Sequence, residues 1–100
     1  MLKNFRCYQL AVEVYRESKK VKLPSYLREQ LLRASSSVVL NLSEGSARAS
    51  RKDRRRFYNI ALASTREVQS ILDLEGENLE SLKEIADKLG GGIYRLCQHL

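Results

Sequence analysis

The strongest chemical signal in the sequence is a run of basic residues near its middle. Six cations fall within the nine positions from 48 to 56, namely Arg48, Arg51, Lys52, Arg54, Arg55 and Arg56. Guanidinium groups bind phosphate oxygens through paired N–H donors, and nothing in the sequence forms an element that reads base edges. The run therefore predicts binding to RNA or DNA with little sequence preference. The residues predicted to bind are Arg48, Arg51, Lys52, Arg54 and Arg55.

The run lies at the start of a predicted helix, which supports the same interpretation. Cations in the first turn of a helix oppose its positive end, at about 0.3 to 1 kcal/mol each when exposed at low salt. Asp53 offsets only part of this, and the acidic cluster at the opposite end of the helix is too far away to neutralise the run within one subunit: Glu75, Glu77, Glu80 and Glu84. Two sources of compensation stay open: the acidic surface of a neighbouring subunit, or an external polyanion.

Catalytic chemistry has weaker support. His99 is the only histidine, and Cys97, two residues before it, would point to a different face of a helix. Glu44 and Glu67 lack the Glu-x-x-His spacing of a di-iron bundle. Cys7 and Cys97 do not have the spacing of metal ligands. We therefore expect no enzymatic activity, no cofactor and no metal.

A second polar group follows one edge of a predicted helix. It consists of Arg33, Ser37, Asn41 and Glu44, at spacings that place all four on the same edge. Two interpretations stay open. The stripe is either a solvated face or a hydrogen-bonded network at a helix or subunit interface. In the second case it would face Ser64 and Glu67 of the next helix and fix the register of the two helices.

The composition is typical of a helical, soluble protein. The 100 residues are 43% hydrophobic and 30% charged, with one proline and no tryptophan, which favours a single all-α domain over residues 1–100. No apolar run reaches the roughly 20 residues of a membrane span and no signal peptide is visible, so we expect a cytoplasmic protein without membrane contact. Residues 1–66 contain 15 Lys or Arg against 5 Asp or Glu, whereas residues 67–100 contain 3 against 7. This asymmetry raises the expectation of an anionic partner.

Hydrophobic spacing predicts an antiparallel up-down-up-down four-helix bundle, with helices over about 4–21, 25–44, 51–74 and 78–99. The predicted buried stripe of the first helix is Phe5, Tyr8, Val12 and Tyr15, widened by Ala11 and Val14, and that of the third includes Phe57, Ile60 and Ala61. The predicted caps are Asn4, Ser50 with Asp53, and Asn78. Gly45 is predicted to end the second helix in the left-handed conformation.

Three further predictions concern packing. The fourth helix is expected to continue through Gly90, Gly91 and Gly92 because another chain segment packs closely there. Tyr58 could stack on an unpaired base but is expected in the core. In an up-down bundle, Cys7 and Cys97 lie at the same end and could be neighbours. We expect two reduced thiols rather than a disulfide.

The second and third predicted helices resemble a known family. The matching positions are Gln30, Arg33-Ala34, Ser37-Val38, Asn41-Leu42-Ser43-Glu44-Gly45-Ser46, Arg48, Ser50, Lys52-Asp53, Phe57-Tyr58, Ile60-Ala61, Ser64 and Glu67. This series is similar to the signature of the four-helix-bundle proteins encoded in intervening sequences of bacterial 23S ribosomal RNA genes. Residues 85–93 also resemble the related accessory variability protein of diversity-generating retroelements.

The resemblance implies a ring-shaped homopentamer of antiparallel four-helix bundles, without enzymatic activity. The retroelement relatives bind a reverse transcriptase and nucleic acid through a basic surface. A structural scaffold for such a protein is therefore the alternative to nucleic-acid binding. In the ribosomal branch, the family name describes where the gene lies. Family members typically have fewer cations at the positions of Arg54, Arg55 and Arg56, which favours nucleic-acid binding for this member.

Overall fold

The computed structural model describes residues 5–100, which fold into four helices. They are α1 (Arg6–Ser18), α2 (Ser25–Ser46), α3 (Arg51–Glu75) and α4 (Glu80–Gln98). Short connections reverse the chain between successive helices, and α1 packs against α4 to close a bundle measuring 40 × 21 × 21 Å. The predicted all-α four-helix bundle is confirmed. Within residues 5–100, no helix is apolar over enough of its length to cross a membrane.

The core is formed by one stripe from each helix, although α1 and α3 differ from prediction. On α1 the buried residues include Leu10, Ala11 and Val14, whereas the four residues of the predicted inward stripe are only half-buried. Because Ala11 is 0% exposed, α1 approaches its neighbours closely and its larger side chains pack at the margins of the contact. On α3, Ile60 is 41% exposed, so its assignment to the buried stripe is wrong.

The first helix is shorter than predicted. Its predicted cap, Asn4, lies outside the described residues, and the structure has Phe5 at the N-cap position. The helix ends at Ser18 instead of residue 21, because the next N–H groups bond to carbonyls three residues back. These bonds join Lys20 to Glu17 at 3.1 Å and Val21 to Ser18 at 3.3 Å. The tighter turn directs Val21 into the core.

Gly45 lies inside α2, so the prediction that it ends the helix is wrong. No residue between 5 and 100 has a positive φ, and the helix continues to Ser46. A methyl group at Gly45 would lie 2.6 Å from Cε1 of Tyr58. The glycine is therefore required because α3 packs so closely, not because the chain turns. Tyr58 is 4% exposed, so its predicted place in the core is confirmed.

The fourth helix begins two residues later than predicted. Leu79, and not Asn78, occupies the N-cap position, and no side chain caps the helix. Leu79 packs against the core, and this contact outweighs the local capping preference of asparagine. The continuation of α4 through its three glycines is confirmed. A methyl group at Gly90 would lie 2.8 Å from Nη1 of Arg66, and one at Gly92 would lie 3.0 Å from Sγ of Cys7.

Candidate nucleic-acid interface

The basic run lies where the chain passes from α2 into α3. Ser50 is the N-cap of α3, and its hydroxyl accepts a hydrogen bond from the backbone N–H of Asp53 at 3.1 Å, so the predicted cap is confirmed. Asp53 is also the one acidic residue in the first turn. The cap and this carboxylate stabilise a helix start whose first six residues include five cations.

Arg48 is the member of the run that pairs with a carboxylate within residues 5–100. Its Nη2 donates to Oε2 of Glu44, one helical turn earlier. Its guanidinium carbon lies 4.8 Å from the ring centroid of Phe57. The charge of Arg48 is therefore partly neutralised inside the subunit, and its side chain is held between α2 and α3.

Arg54 and Arg55 donate to backbone oxygens. The guanidinium of Arg54 is half-buried, and its Nη2 and Nε lie 2.9 and 3.3 Å from the carbonyl oxygen of Arg48. Arg55 is exposed and donates to the backbone oxygen of Leu100, after the end of α4. Arg54 thus ties the loop to α3, whereas Arg55 ties α3 to the last residues while much of its surface faces solvent.

Three further cations face solvent without a carboxylate partner in the part of the chain that the structure describes. Arg51, Lys52 and Arg56 are all exposed, and none of them forms an ion pair within that part. The guanidinium carbon of Arg56 lies 4.5 Å from the ring centroid of Phe57. We call Arg51, Lys52, Arg55 and Arg56 the basic corner. It is the part of the run with charge available to a partner.

Sequence reasoning placed Phe57 in the core and therefore missed its second role. The ring is half-buried, and the guanidinium groups of Arg48 and Arg56 both approach it within cation–π distance. Arg56 was not among the predicted binding residues. The available signal was the direct adjacency of Arg56 and Phe57 in the sequence.

The predicted polar stripe divides into two parts. Ser37 and Ser64 join α2 to α3 through hydroxyl oxygens 2.9 Å apart. Asn41 donates from Nδ2 to the hydroxyl of Ser37 at 3.1 Å and to its carbonyl at 2.9 Å. The remaining members are exposed: Arg33, Glu44 and Glu67. The structure therefore brings together a small network at the helix contact, with its charged members outside it.

Exposed apolar side chains lie at two levels along α2 and α3. Among residues 5–100, four of the five exposed large apolar side chains belong to these two helices, namely Tyr26, Leu40, Ile60 and Leu74. The contact of Ser37 with Ser64 sets an antiparallel register. A residue of α2 and a residue of α3 therefore lie at the same height in the bundle when their numbers have about the same sum as 37 and 64. Leu40 lies at the height of Ile60, and Tyr26 lies at the height of Leu74. We call these four residues the apolar stripe.

His99, Cys7 and Cys97 are the side chains that the sequence offered for catalysis or metal binding. His99 is exposed at the C-terminal end of α4, and residues 5–100 contain no cluster of three His, Cys, Asp or Glu side chains suited to a metal ion. Cys7 and Cys97 are free thiols. Burial raises the pKa of both, and for Cys7 it outweighs the opposing effects of Arg95 and Arg6. The nearby Cys97 also raises the pKa of Cys7.

Fold and surface together define an antiparallel four-helix-bundle protein with an arginine-rich corner between its second and third helices. The model of the 23S rRNA-intervening sequence protein family matches residues 5–98. The chain belongs to that family, as the resemblance of α2 and α3 predicted. No curated protein and no solved structure matches the chain.

Proposed function

We propose that this protein is a non-enzymatic, cytoplasmic, oligomeric member of its family that binds RNA or DNA through the basic corner. The observation that carries the proposal is the exposure of Arg51, Lys52 and Arg56 at a helix start without carboxylate partners within residues 5–100. A polyanion would relieve both their mutual repulsion and their conflict with the helix dipole.

The contacts divide the basic run into supporting and binding residues. Arg48 and Arg54 hold the loop and the start of α3 in place, since Arg48 pairs with Glu44 and Arg54 donates to the loop backbone. The basic corner then presents its four cations to phosphates. The guanidinium of Arg56 lies over the ring of Phe57, a contact that restricts its movement. Binding through such contacts is sensitive to salt and tolerant of sequence.

The test is a titration of fluorescent RNA and DNA oligonucleotides of mixed sequence at several salt concentrations. The triple variant Arg51→Gln, Lys52→Gln, Arg56→Gln removes three cations from the basic corner. The matched control is Lys19→Gln, Lys20→Gln, Lys22→Gln, which removes three exposed cations from the connection between α1 and α2.

We expect the wild-type protein to bind with an affinity that falls steeply with salt. The slope of log K against log salt should decrease in the corner variant by about 0.9 per lost contact on duplex DNA, or about 0.7 on single strands. The control variant should keep nearly the wild-type slope. Absence of binding at every salt concentration, or equal losses in both variants, would contradict the proposal.

We further propose that the apolar stripe mediates self-association. The family resemblance favours a homopentamer, and exposed apolar side chains on adjacent helices are typical of interaction surfaces. The double variant Leu40→Glu, Ile60→Glu should shift the mass measured by light scattering toward the monomer, with unchanged helical content. Tyr94→Glu on α4 is the control, since Tyr94 is the fifth large apolar side chain exposed among residues 5–100 and lies outside the stripe.

The alternative function is a scaffold that binds another protein, such as a reverse transcriptase. The apolar stripe favours it equally, because the same surface suits a different partner. The two functions are separated by the measurements above. Self-association that persists in the Leu40→Glu, Ile60→Glu variant, together with no affinity for RNA or DNA, would favour the scaffold.

A further inference from the structure

We propose that the phosphate-binding surface extends beyond the basic corner into a groove between α1 and α4, where Arg6, Lys88 and Arg95 hold the continuing sugar-phosphate backbone. This inference rests on the proposed function. It adds three cations from two other helices that sequence reasoning did not associate with the basic run. The predicted ligand is one strand of the same nucleic acid bound at the basic corner.

The groove is an open cavity of about 540 Å³ along the contact of α1 with α4. Three cations border it, namely Arg6 on α1 and Lys88 and Arg95 on α4. All three are exposed. The one carboxylate on its border, Asp87, already accepts a hydrogen bond from Nε2 of Gln69 at 2.8 Å. With three cations and one carboxylate on its border, the groove has an excess of positive charge.

A series of neighbouring groups connects this groove to the basic corner. Cys7 lines the groove, and Cys97 lies close enough to influence its pKa. Arg55 in turn lies close enough to Cys97 to lower the pKa of that thiol, against the larger effect of burial. The same Arg55 donates to the backbone oxygen of Leu100. Arg6 begins α1, the basic corner begins α3 and Arg95 lies in the last turn of α4, so these cations share one end of the antiparallel bundle, with Lys88 two turns further along α4.

Gly91 gives the groove an open floor. Among the three consecutive glycines, a methyl group at Gly90 or Gly92 would have a neighbour within 3.0 Å, whereas a methyl group at Gly91 would meet only Nη1 of Arg95, at 3.4 Å. Packing therefore does not require glycine at this position. Because glycine has no side chain, the surface of α4 is recessed beside Arg95. A bulky polyanion can therefore approach the backbone of α4.

The complete surface would contain seven cations, four in the basic corner and three in the groove. Because each neutralised phosphate adds about 0.9 to the salt slope on duplex DNA and about 0.7 on single strands, the extended surface differs measurably from the corner alone. The sequence hides this relation, since Arg6 and Arg95 are separated by almost the whole chain.

The experiment uses the full chain and the labelled oligonucleotides described above, an RNA and a duplex DNA of mixed sequence. The first variant is Arg6→Gln, Arg95→Gln. Its control is Arg16→Gln, Lys22→Gln, which makes the same charge change at exposed positions outside the groove. The second variant, Gly91→Leu, fills the groove without changing the charge, and circular dichroism checks that every variant folds.

We expect the first variant to lower the salt slope by about 1.8 on duplex DNA or about 1.4 on single strands, while its control stays near the wild-type slope. Gly91→Leu should weaken binding severalfold at constant salt without loss of helix. If wild-type binding depends on the basic corner but the Arg6, Arg95 variant matches its control, the extension is overturned and the proposed function stands. If the wild-type protein binds neither oligonucleotide, both are overturned.

Discussion

Arg54 donates hydrogen bonds from Nη2 and Nε to the backbone carbonyl oxygen of Arg48, at 2.9 and 3.3 Å. This contact joins the first turn of α3 to the loop that precedes it. It gives Arg54 a role in holding the loop that the exposed Arg51 and Arg56 do not share. The cations at this helix start therefore serve two purposes. Arg54 stabilises the loop, and the cations of the basic corner face solvent.

The first prediction follows from this difference. Arg54→Ala should lower the free energy of unfolding by about 1 to 2 kcal/mol, because a charged donor to a half-buried carbonyl is lost. Arg51→Ala removes the same charge at an exposed position and should change it by less than about 0.5 kcal/mol. Urea unfolding followed by circular dichroism measures both. Equal effects would mean that the Arg54 contact does not stabilise the loop.

The second prediction concerns the close packing of α2 on α3. Gly45→Ala should destabilise the protein by about 1 to 3 kcal/mol, since the new methyl group would lie 2.6 and 2.8 Å from ring carbons of Tyr58. Gly91→Ala is the matched control, and its higher helix propensity should stabilise by up to about 1 kcal/mol. Thermal unfolding measures both, and a Gly45→Ala protein as stable as wild type would contradict the packing.

The third prediction uses the hydroxyl contact between Ser37 and Ser64. Ser64→Ala should cost only about 0.5 to 1.5 kcal/mol, because it removes one hydrogen bond while the hydroxyl of Ser37 keeps its bond from Asn41 at 3.1 Å. A double-mutant cycle with Ser37→Ala should yield a coupling energy of about 0.5 to 1.5 kcal/mol. The cycle of Ser64→Ala with Ser36→Ala is the control, since Ser36 donates within its own helix. Equal coupling in the two cycles would contradict a direct contact.

The number and order of the helices could be predicted because the apolar residues that pack into the core recur in the sequence at helical spacing. The helix ends were harder to predict. Gly45 and Asn78 each satisfy a local rule for a terminus, but Gly45 lies inside α2 beside the ring of Tyr58, and Leu79 packs against the core at the start of α4. Ser50 was predicted correctly because its cap involves only the next three residues.

The sequence could predict which residues belong to the candidate site, but it could not predict the role of each cation. The six cations of the run can be read directly from the sequence. The hydrogen-bond partner of Arg55, however, lies 45 positions away at Leu100. The contact of Arg54 with Arg48 depends on the shape of a loop. Arg6 and Arg95 line the same groove only because α1 packs against α4. Such relations require the tertiary structure.

The fourth prediction concerns stability at alkaline pH. Burial raises the pKa of the Cys7 and Cys97 thiols, so the folded state favours the neutral thiols. Their contribution to stability is complete below the ordinary thiol pKa of about 8.5 and is lost as pH rises through the higher folded values. Urea unfolding between neutral and alkaline pH should show this decline, and Cys7→Ala, Cys97→Ala should reduce it. An identical decline in that variant would assign it to other groups.

The fifth prediction concerns the reactivity of Cys7. Arg95 opposes the effect of burial by lowering the pKa of this thiol, so Arg95→Gln should raise the pKa and reduce the thiolate fraction at a given pH. In a Cys97→Ala background, iodoacetamide should then alkylate Cys7 more slowly, with the pH profile of the rate shifted upward. Arg16→Gln should leave the profile unchanged. A shifted profile in both variants would indicate a general charge effect, whereas a shift confined to Arg95→Gln places this guanidinium beside the thiol and therefore beside the groove between α1 and α4.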